Sequence, residues 1–466
     1  MKTFVPSTLA AAALACLLAA PTAGATDPAL QGKKVLMVVQ AQAKGQAKEK
    51  AADEQLRKLL ESRGLVVTQA DHTDAAGKAP YQDLVLISGS ASAHSIGERL
   101  RKLPVPVLTC QPELLGDLAM TGPKQDADYG VIDKKDHYLY VVNAPHPLAA
   151  GLPAGTFVSS AKNVPMNWGK PSLAASVAVT PPGWFDTPVL FGYEKGATME
   201  QGEVAPARRA SFYLGGDGFE KSQPTPATLA LFDAALRWST GAAATAPQAS
   251  AVQGKKLLLV VQKVPEHPKA EVRAAVERSN ASMAEHFKSL GFDVSVADHR
   301  EPASAADGKD MVVISATVKA NILGGRYKDV KVPVVSLEND VLDDMGMSAK
   351  RRGVDFGDVE DQHYVKLVNA PHPLAAGLPA GTVDLFKSAV GMGWGVPARG
   401  ATTIATLHGA PDKATIFAYE KGATMDHEAL APARRVYLPI DYNAWSHLTP
   451  AGIKLVDNAL AWALGT

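Results

Sequence analysis

The side chains best equipped for chemistry sit where apolar runs turn polar, and they occur in two matching sets. Gln40, Asp71, His72, Ser88, Ser90 and Gln111 form the first set; Gln262, Asp298, His299, Ser315, Thr317 and Glu338 form the second. Asp71-His72 and Asp298-His299 are the acid–base candidates, because a carboxylate can orient an imidazole that titrates near neutral pH. Neighbours in an extended strand face opposite ways, so such a dyad needs a bend; otherwise the aspartate caps a helix and the histidine is solvated. His72, His299 and Glu338 are the candidate catalytic groups. Trp168 and Trp394, each in Met-x-Trp-Gly, could stack on a sugar or anchor their loops as buried aromatics. Arg208-Arg209 and Arg434-Arg435 could clamp an anion, cap a helix end, or pair with Glu194 and Glu420. His137, His146, His363 and His372 lack the close spacing of a zinc motif, so no metal is expected. No other cofactor is expected either.

The elements that position these groups are written twice. Val142 to Thr156 and Val368 to Thr382 both read VNAPHPLAAGLPAGT; YEKGATM (from Tyr193 and Tyr419) and APARR (from Ala205 and Ala431) also recur. Short apolar runs predict buried strands at Val35 to Gln40, Leu65 to Ala70, Leu84 to Ile87 and Pro106 to Thr109. Their counterparts are Leu257 to Gln262, Phe292 to Ala297, Met311 to Ile314 and Pro333 to Ser336. Helices are predicted over Glu49 to Ser62 and Glu271 to Leu290. A last strand (Ala210 to Leu214; Val436 to Ile440) and a closing helix (Pro226 to Trp238; Pro450 to Trp462) complete each unit. Thr225-Pro226 and Thr449-Pro450 supply N-cap and first-turn residues. The stretch between the fourth strand and the long repeat reads as a polar loop. Strands alternating with helices predict two tandem three-layer α/β/α domains, flavodoxin-like, with mainly parallel sheets. The expected domains span 31–240 and 253–464, joined by an alanine-rich linker at 241–252. In such sheets ligands bind beyond the carboxyl ends of the strands, which places the expected ligand-binding residues at the two polar sets together with Trp168 and Trp394. The long repeat itself, with three prolines and two glycines, reads as a rigid connector.

The order of these motifs resembles the class I glutamine amidotransferase-like superfamily. Strand one ends in a polar residue, an Asp-introduced strand three runs into a small-residue turn, and a Pro-Val-led strand four precedes a His-Pro-Leu-x-x-Gly-Leu element. Within that superfamily the chain looks most like the trehalose-utilisation, or ThuA-like, branch in both halves. The resemblance implies a nucleophilic cysteine in Gly-x-Cys-x-Gly after strand four, but Gln111 and Glu338 stand there without flanking glycines. Cys110 lies one residue earlier, facing the other way, and its counterpart is Leu337. Thiol chemistry is therefore not expected. Ser88-Gly89-Ser90 lacks the Gly-x-Ser-x-Gly elbow of serine hydrolases, and its turn matches the one the resemblance gives to an oxyanion hole.

Residues 1–25 read as a cleaved signal peptide: a basic start, an apolar run from Leu9 to Ala20 and Ala23-Gly24-Ala25, predicting export to the periplasm or beyond. No membrane span is expected. With 47 basic and 47 acidic residues interspersed, nucleic acid is not an expected partner. The favoured reading is an exported, non-catalytic tandem ThuA-like protein that binds a small molecule, a carbohydrate among the candidates, at the strand ends. A hydrolase or lyase of sugar-derived substrates using an Asp-His pair, and a structural envelope protein, stand as alternatives. Oligomeric state is left open.

Overall fold

The structure is a computed structural model that describes residues 27–40, 47–132, 137–214, 218–241, 252–264 and 267–465. The expected signal peptide and nearly all of the expected linker lie outside the described residues. No helix among the described residues is long and apolar enough to cross a membrane.

The first half contributes β1 (Lys34–Val39), β2 (Val66–Asp71), β3 (Leu84–Ile87), β4 (Val107–Thr109), β5 (Tyr129–Ile132), β6 (Tyr138–Val141), β7 (Gly155–Val158), β8 (Met166–Gly169), β9 (Ser176–Thr180), β10 (Leu190–Tyr193) and β11 (Arg209–Ser211). The second contributes β12 (Lys256–Val261), β13 (Asp293–Asp298), β14 (Met311–Ile314), β15 (Val334–Ser336), β16 (Phe356–Gln362), β17 (Tyr364–Leu367), β18 (Gly381–Asp384), β19 (Val390–Gly395), β20 (Thr402–Leu407), β21 (Ala410–Tyr419) and β22 (Arg435–Tyr437).

Both halves build an α/β sheet in the same order. It runs β2-β1-β3-β4-β11-β10-β9-β6-β7 in the first half and β13-β12-β14-β15-β22-β21-β20-β17-β18 in the second. The first five strands of each are parallel and the remaining four antiparallel. The parallel part follows from the apolar runs. Val35, Met37 and Val39 of β1 face Leu56 and Leu60 of the helix Ala47–Ser62, while Leu36 and Val38 face Ile96 and Leu100, so one strand feeds two cores. Of the antiparallel strands, β6 and β17 lie in the stretches read as polar loops, whereas β7, β9 and β10, like β18, β20 and β21, begin within or after the long repeat, where the sequence marks no strand. Those of the first half are only four or five residues long, too short to show a period against their flanking turns. β22 stops at Tyr437 rather than continuing to Ile440, where Pro439 lacks a ladder donor.

The closing helices start as expected: Thr225 and Thr449 accept from the amides of Thr228 and Gly452, with proline in the first turn. The long repeat forms a turn held by its own histidine. His146 and His372 cap a short 3-10 turn through Nδ1, accepting from Leu148 and Leu374 at 3.2 Å. The repeat has a second role: its first residue joins the halves. The Thr198 amide donates to the Val368 carbonyl at 2.6 Å, and the Thr424 amide to that of Val142 at 2.8 Å. Donor and acceptor belong to the same two motifs in both bonds, which gives the contact the self-complementary form of an isologous interface.

Arg209 and Arg435, at the starts of β11 and β22, are wholly buried. Arg435 donates to the carbonyls of Lys328, Val330, Val332, Ala433 and Arg434 at 2.7–3.2 Å. Arg209 does the same for Arg101, Leu103, Val105, Ala207 and Arg208. Burial lowers both pKa values to about 10, so both stay charged at neutral pH. Their neighbours Arg208 and Arg434 pair with Glu194 and Glu420 and cap the closing helices at Trp238 and Trp462, so neither arginine is left to clamp an anion. Arg435→Leu removes a buried donor from five carbonyls, of which that of Arg434 keeps the Val334 amide, and should lower stability by more than about 3 kcal/mol. Arg435→Lys, with a point charge in place of a planar fork, should recover only part of it. Urea midpoints of both variants check this; an Arg435→Leu protein within about 0.5 kcal/mol of the parent would contradict it.

Candidate functional site

A cavity of about 260 Å³ opens in the second half, at the carboxyl end of β15. Ser336 closes β15 and accepts from the Glu338 amide through its hydroxyl; the Glu338 carboxylate in turn accepts from the amide of Asp340 at 2.9 Å. That turn sends Leu337 into the core and leaves Glu338 on the cavity wall. Asp358 and Glu360 enter from β16, Tyr437 from the end of β22, and Asp441 from the turn beyond it. Arg352 bonds Asp340, and Asp358 at 2.6 Å.

Two glycines of β19 let the lining side chains come close to the strand. A Cβ at Gly393 would collide with the Tyr437 hydroxyl, and one at Gly391 would lie 3.2 Å from Asp441 and 3.4 Å from Glu360. The Tyr437 hydroxyl is buried and has no hydrogen-bond partner. Electrostatics follow from burial amid like charge. Glu338 is pushed up to about 8, by burial first and then by Asp340 and Asp441. Asp441 is raised by burial and by Glu360 and Asp358. Tyr437 is pushed well above its ordinary value by burial and the same carboxylates, so it stays a phenol. A protonated Glu338 is a hydrogen-bond donor at neutral pH, and the carboxylates around it are acceptors.

The first half fills the equivalent place. Asn167, preceding Trp168 as Gly393 precedes Trp394, donates to the Cys110 carbonyl at 2.7 Å. Ser211 follows Arg209 where Tyr437 follows Arg435. Gln111, in the position of Glu338, spends its amide on the carbonyls of Gly89 and Ala91.

No protein-family profile matches the chain, and no curated protein matches it. Among solved structures it is similar to a GMP synthase-like protein of Thermoplasma acidophilum, at 13% identity and a TM-score of 0.30, covering 46% of this chain and 96% of that one. It is also similar to ThuA-like proteins of Bacteroides uniformis (14% identity, TM-score 0.29, 47% and 94% covered) and Parabacteroides merdae (13%, 0.27, 46% and 91%).

Of the residues expected from sequence, Glu338 alone lines this cavity. Asp71 and Asp298 accept from amides two residues on, at Thr73 and Arg300, as turn caps. His72 and His299 are buried, and their Nδ1 atoms accept from the amides of Ser92 and Lys319 at 3.5 and 3.0 Å. Their Nε2 atoms lie 3.8 and 4.0 Å from Asp71 and Asp298, too long for a catalytic dyad's hydrogen bond. These histidines hold backbone turns, which corrects the acid–base expectation. Ser88 and Ser90 both donate to Asp53, at 2.5 and 2.7 Å, and Ser90 receives the Gln40 amide. Gln262, Ser315 and Thr317 gather likewise around Asn280. These strand ends are consumed in tying each sheet to its first long helix. Trp394 is also corrected: it is buried beside Gly357, with the Lys413 ammonium 4.2 Å from the ring centre, and cannot stack on a ligand. Trp168 is half-buried against the core that holds Met166 and Ile132. Cys110 is buried with its thiol pushed up to about 12 by burial. Sequence reasoning missed Asp53 and Asn280, and it missed Arg352, Asp358, Glu360, Tyr437 and Asp441.

Folding raises the Glu338 pKa from 4.5 to about 8, so the native protein holds this proton more tightly than the unfolded chain. The resulting stability is complete below about pH 4.5 and is lost as pH climbs through about 8. Glu338→Gln removes the titration. Its melting temperature should therefore fall less than the parent's between about pH 5 and about pH 8; parallel melting curves across that window would mean that Glu338 ionises normally.

Proposed function

We propose that the chain is an exported tandem ThuA-like protein whose second half binds a small, hydroxyl-rich ligand, a carbohydrate among the candidates, in the cavity around Glu338. Residues 1–25 are the export signal, 31–240 and 253–464 the two domains, and 241–252 their linker. One observation carries the binding reading: the buried Tyr437 hydroxyl, packed against Gly393 and without a protein partner, belongs to the side chains that line the cavity. A buried hydroxyl left unsatisfied costs about 1–3 kcal/mol, which a ligand hydroxyl recovers. The volume lies at the small end of ligand pockets, and the wall alternates acceptors with the donors Tyr437, Arg352 and protonated Glu338. The first half, its counterpart place filled by Asn167, serves as a scaffold.

A hydrolase or lyase reading draws on the same raised Glu338 pKa, since a carboxyl kept protonated near neutrality can act as a general acid. The acid is then Glu338, not His299. Turnover of a glycoside panel, abolished in Glu338→Gln with binding retained, would establish that reading over the simple binder.

Titration calorimetry of the full chain against monosaccharides and linear polyols tests the binding reading. The double variant Gly393→Asn/Tyr437→Ser rebuilds the filled arrangement of the first half. Truncating the fully buried Tyr437 side chain should lower the melting temperature, as large-to-small core changes do, by an amount the added asparagine side chain offsets in part; protein still folded at the assay temperature should lose the heat of binding. Absence of binding by every member of the panel, or unchanged binding in the double variant, would sink the proposal.

A further inference from the structure

The cavity has an unbalanced charge. Glu338 and Asp340 face it from the turn after β15, Asp358 and Glu360 from β16, and Asp441 from the turn after β22. Among the described residues, Arg352 is the only basic side chain on the wall, and it is bonded to Asp340 and Asp358. β19 brings only Gly391 and Gly393, and β22 the neutral Tyr437. Among the described residues, no basic group pairs with Glu338, Glu360 or Asp441. Among the described residues of the first half, Val131 takes the place of Asp358 beside the matching glycine, and Gln125 that of Arg352.

Resting on the binding reading above, we propose that the ligand carries a positive charge: a protonated amine set among hydroxyl groups, as in an amino sugar or amino polyol. Carboxylates sunk beside one another are costly unless a cation meets them. A neutral polyol would satisfy Tyr437 and leave the excess charge in place. A bare metal ion fits poorly, because no three of these side chains converge to ligate one, among the described residues. The carboxyl groups are spread over the wall instead, which suits an ammonium at one end of an extended molecule and hydroxyls along it. Tyr437, buried and without a partner, marks where a hydroxyl docks.

Charge coupling gives the proposal a signature. An ammonium beside Glu338 favours its ionised form, so binding expels a proton and strengthens as pH rises toward the Glu338 pKa of about 8.

The test compares glucamine (1-amino-1-deoxysorbitol) with sorbitol, which differ only by ammonium against hydroxyl, using calorimetry on the full chain. Glucamine should bind about tenfold tighter or better, the yield of one charge-assisted hydrogen bond. Its measured heat should depend on the ionisation enthalpy of the buffer, its affinity should rise between about pH 6 and about pH 8, and high salt should weaken it. In Glu338→Gln/Asp441→Asn, shown to be folded by circular dichroism, the affinity ratio of glucamine to sorbitol should fall toward one and the buffer dependence of the glucamine heat should disappear. Equal affinity for the two compounds, tighter sorbitol binding, or saturable binding of magnesium alone would overturn the charge assignment and leave the binding reading standing. Failure of glucamine, sorbitol and every monosaccharide would overturn the binding reading itself.

Discussion

The candidate site depends on a buried guanidinium. Arg435 gathers the carbonyls of Lys328, Val330 and Val332, the segment that leads into β15, while its own backbone begins β22. It therefore locks the register between the two strands, pairing Val334 with Arg435 and Ser336 with Tyr437. Two residues beyond Ser336 stands Glu338. The distance between the Glu338 carboxyl and the Tyr437 phenol is thus set at the far end of the strands, by a side chain that touches neither. Arg209 makes the same tie in the first half, where the register brings Ser211 beside Thr109. A charge in the core is expensive; here five backbone acceptors meet it, and what it yields is a fixed strand pairing at the junction of the parallel and antiparallel parts of the sheet.

With the frame held constant, small substitutions decide what the strand ends do. Asn167 against Gly393 and Ser211 against Tyr437 convert a filled, amide-bonded place into a cavity with an unsatisfied phenol. Gln111 against Glu338 exchanges a donor already bonded to two carbonyls for an acid whose pKa is raised to about 8 by burial first and then by its acidic neighbours. None of these changes alters the sheet order.

Much of this was legible in the residues. The parallel strands declared themselves because a strand buried on both faces is a continuous apolar run, and the two copies confirmed each other. Glu338 stood out because it broke the match with Gln111. The antiparallel strands of the first half did not declare themselves, since four or five residues between turns show no clear alternation. His72 and His299 misled: an imidazole beside a carboxylate looks catalytic, yet the same pair makes a good backbone cap. Asp53 and Asn280 were visible only as polar interruptions on an otherwise apolar helix face, with Leu56 and Leu60 following Asp53. Arg352, Asp358, Glu360 and Asp441 come from separate elements, and no local spacing could assemble them. Tyr437 and Gly393 lay within reach, because comparing the copies position by position marks both as departures.

The two backbone hydrogen bonds that cross between the halves among the described residues, from Thr198 to Val368 and from Thr424 to Val142, have a genetic consequence as well as a mechanical one. In a symmetric dimer of identical chains each substitution appears twice, so a change that opens one cavity opens both, and its destabilising effect is doubled. Carrying both partners on one polypeptide removes that constraint. One copy can keep its packed interior and uphold the shared interface, while the other accumulates buried acids that a twofold assembly would have to tolerate in duplicate.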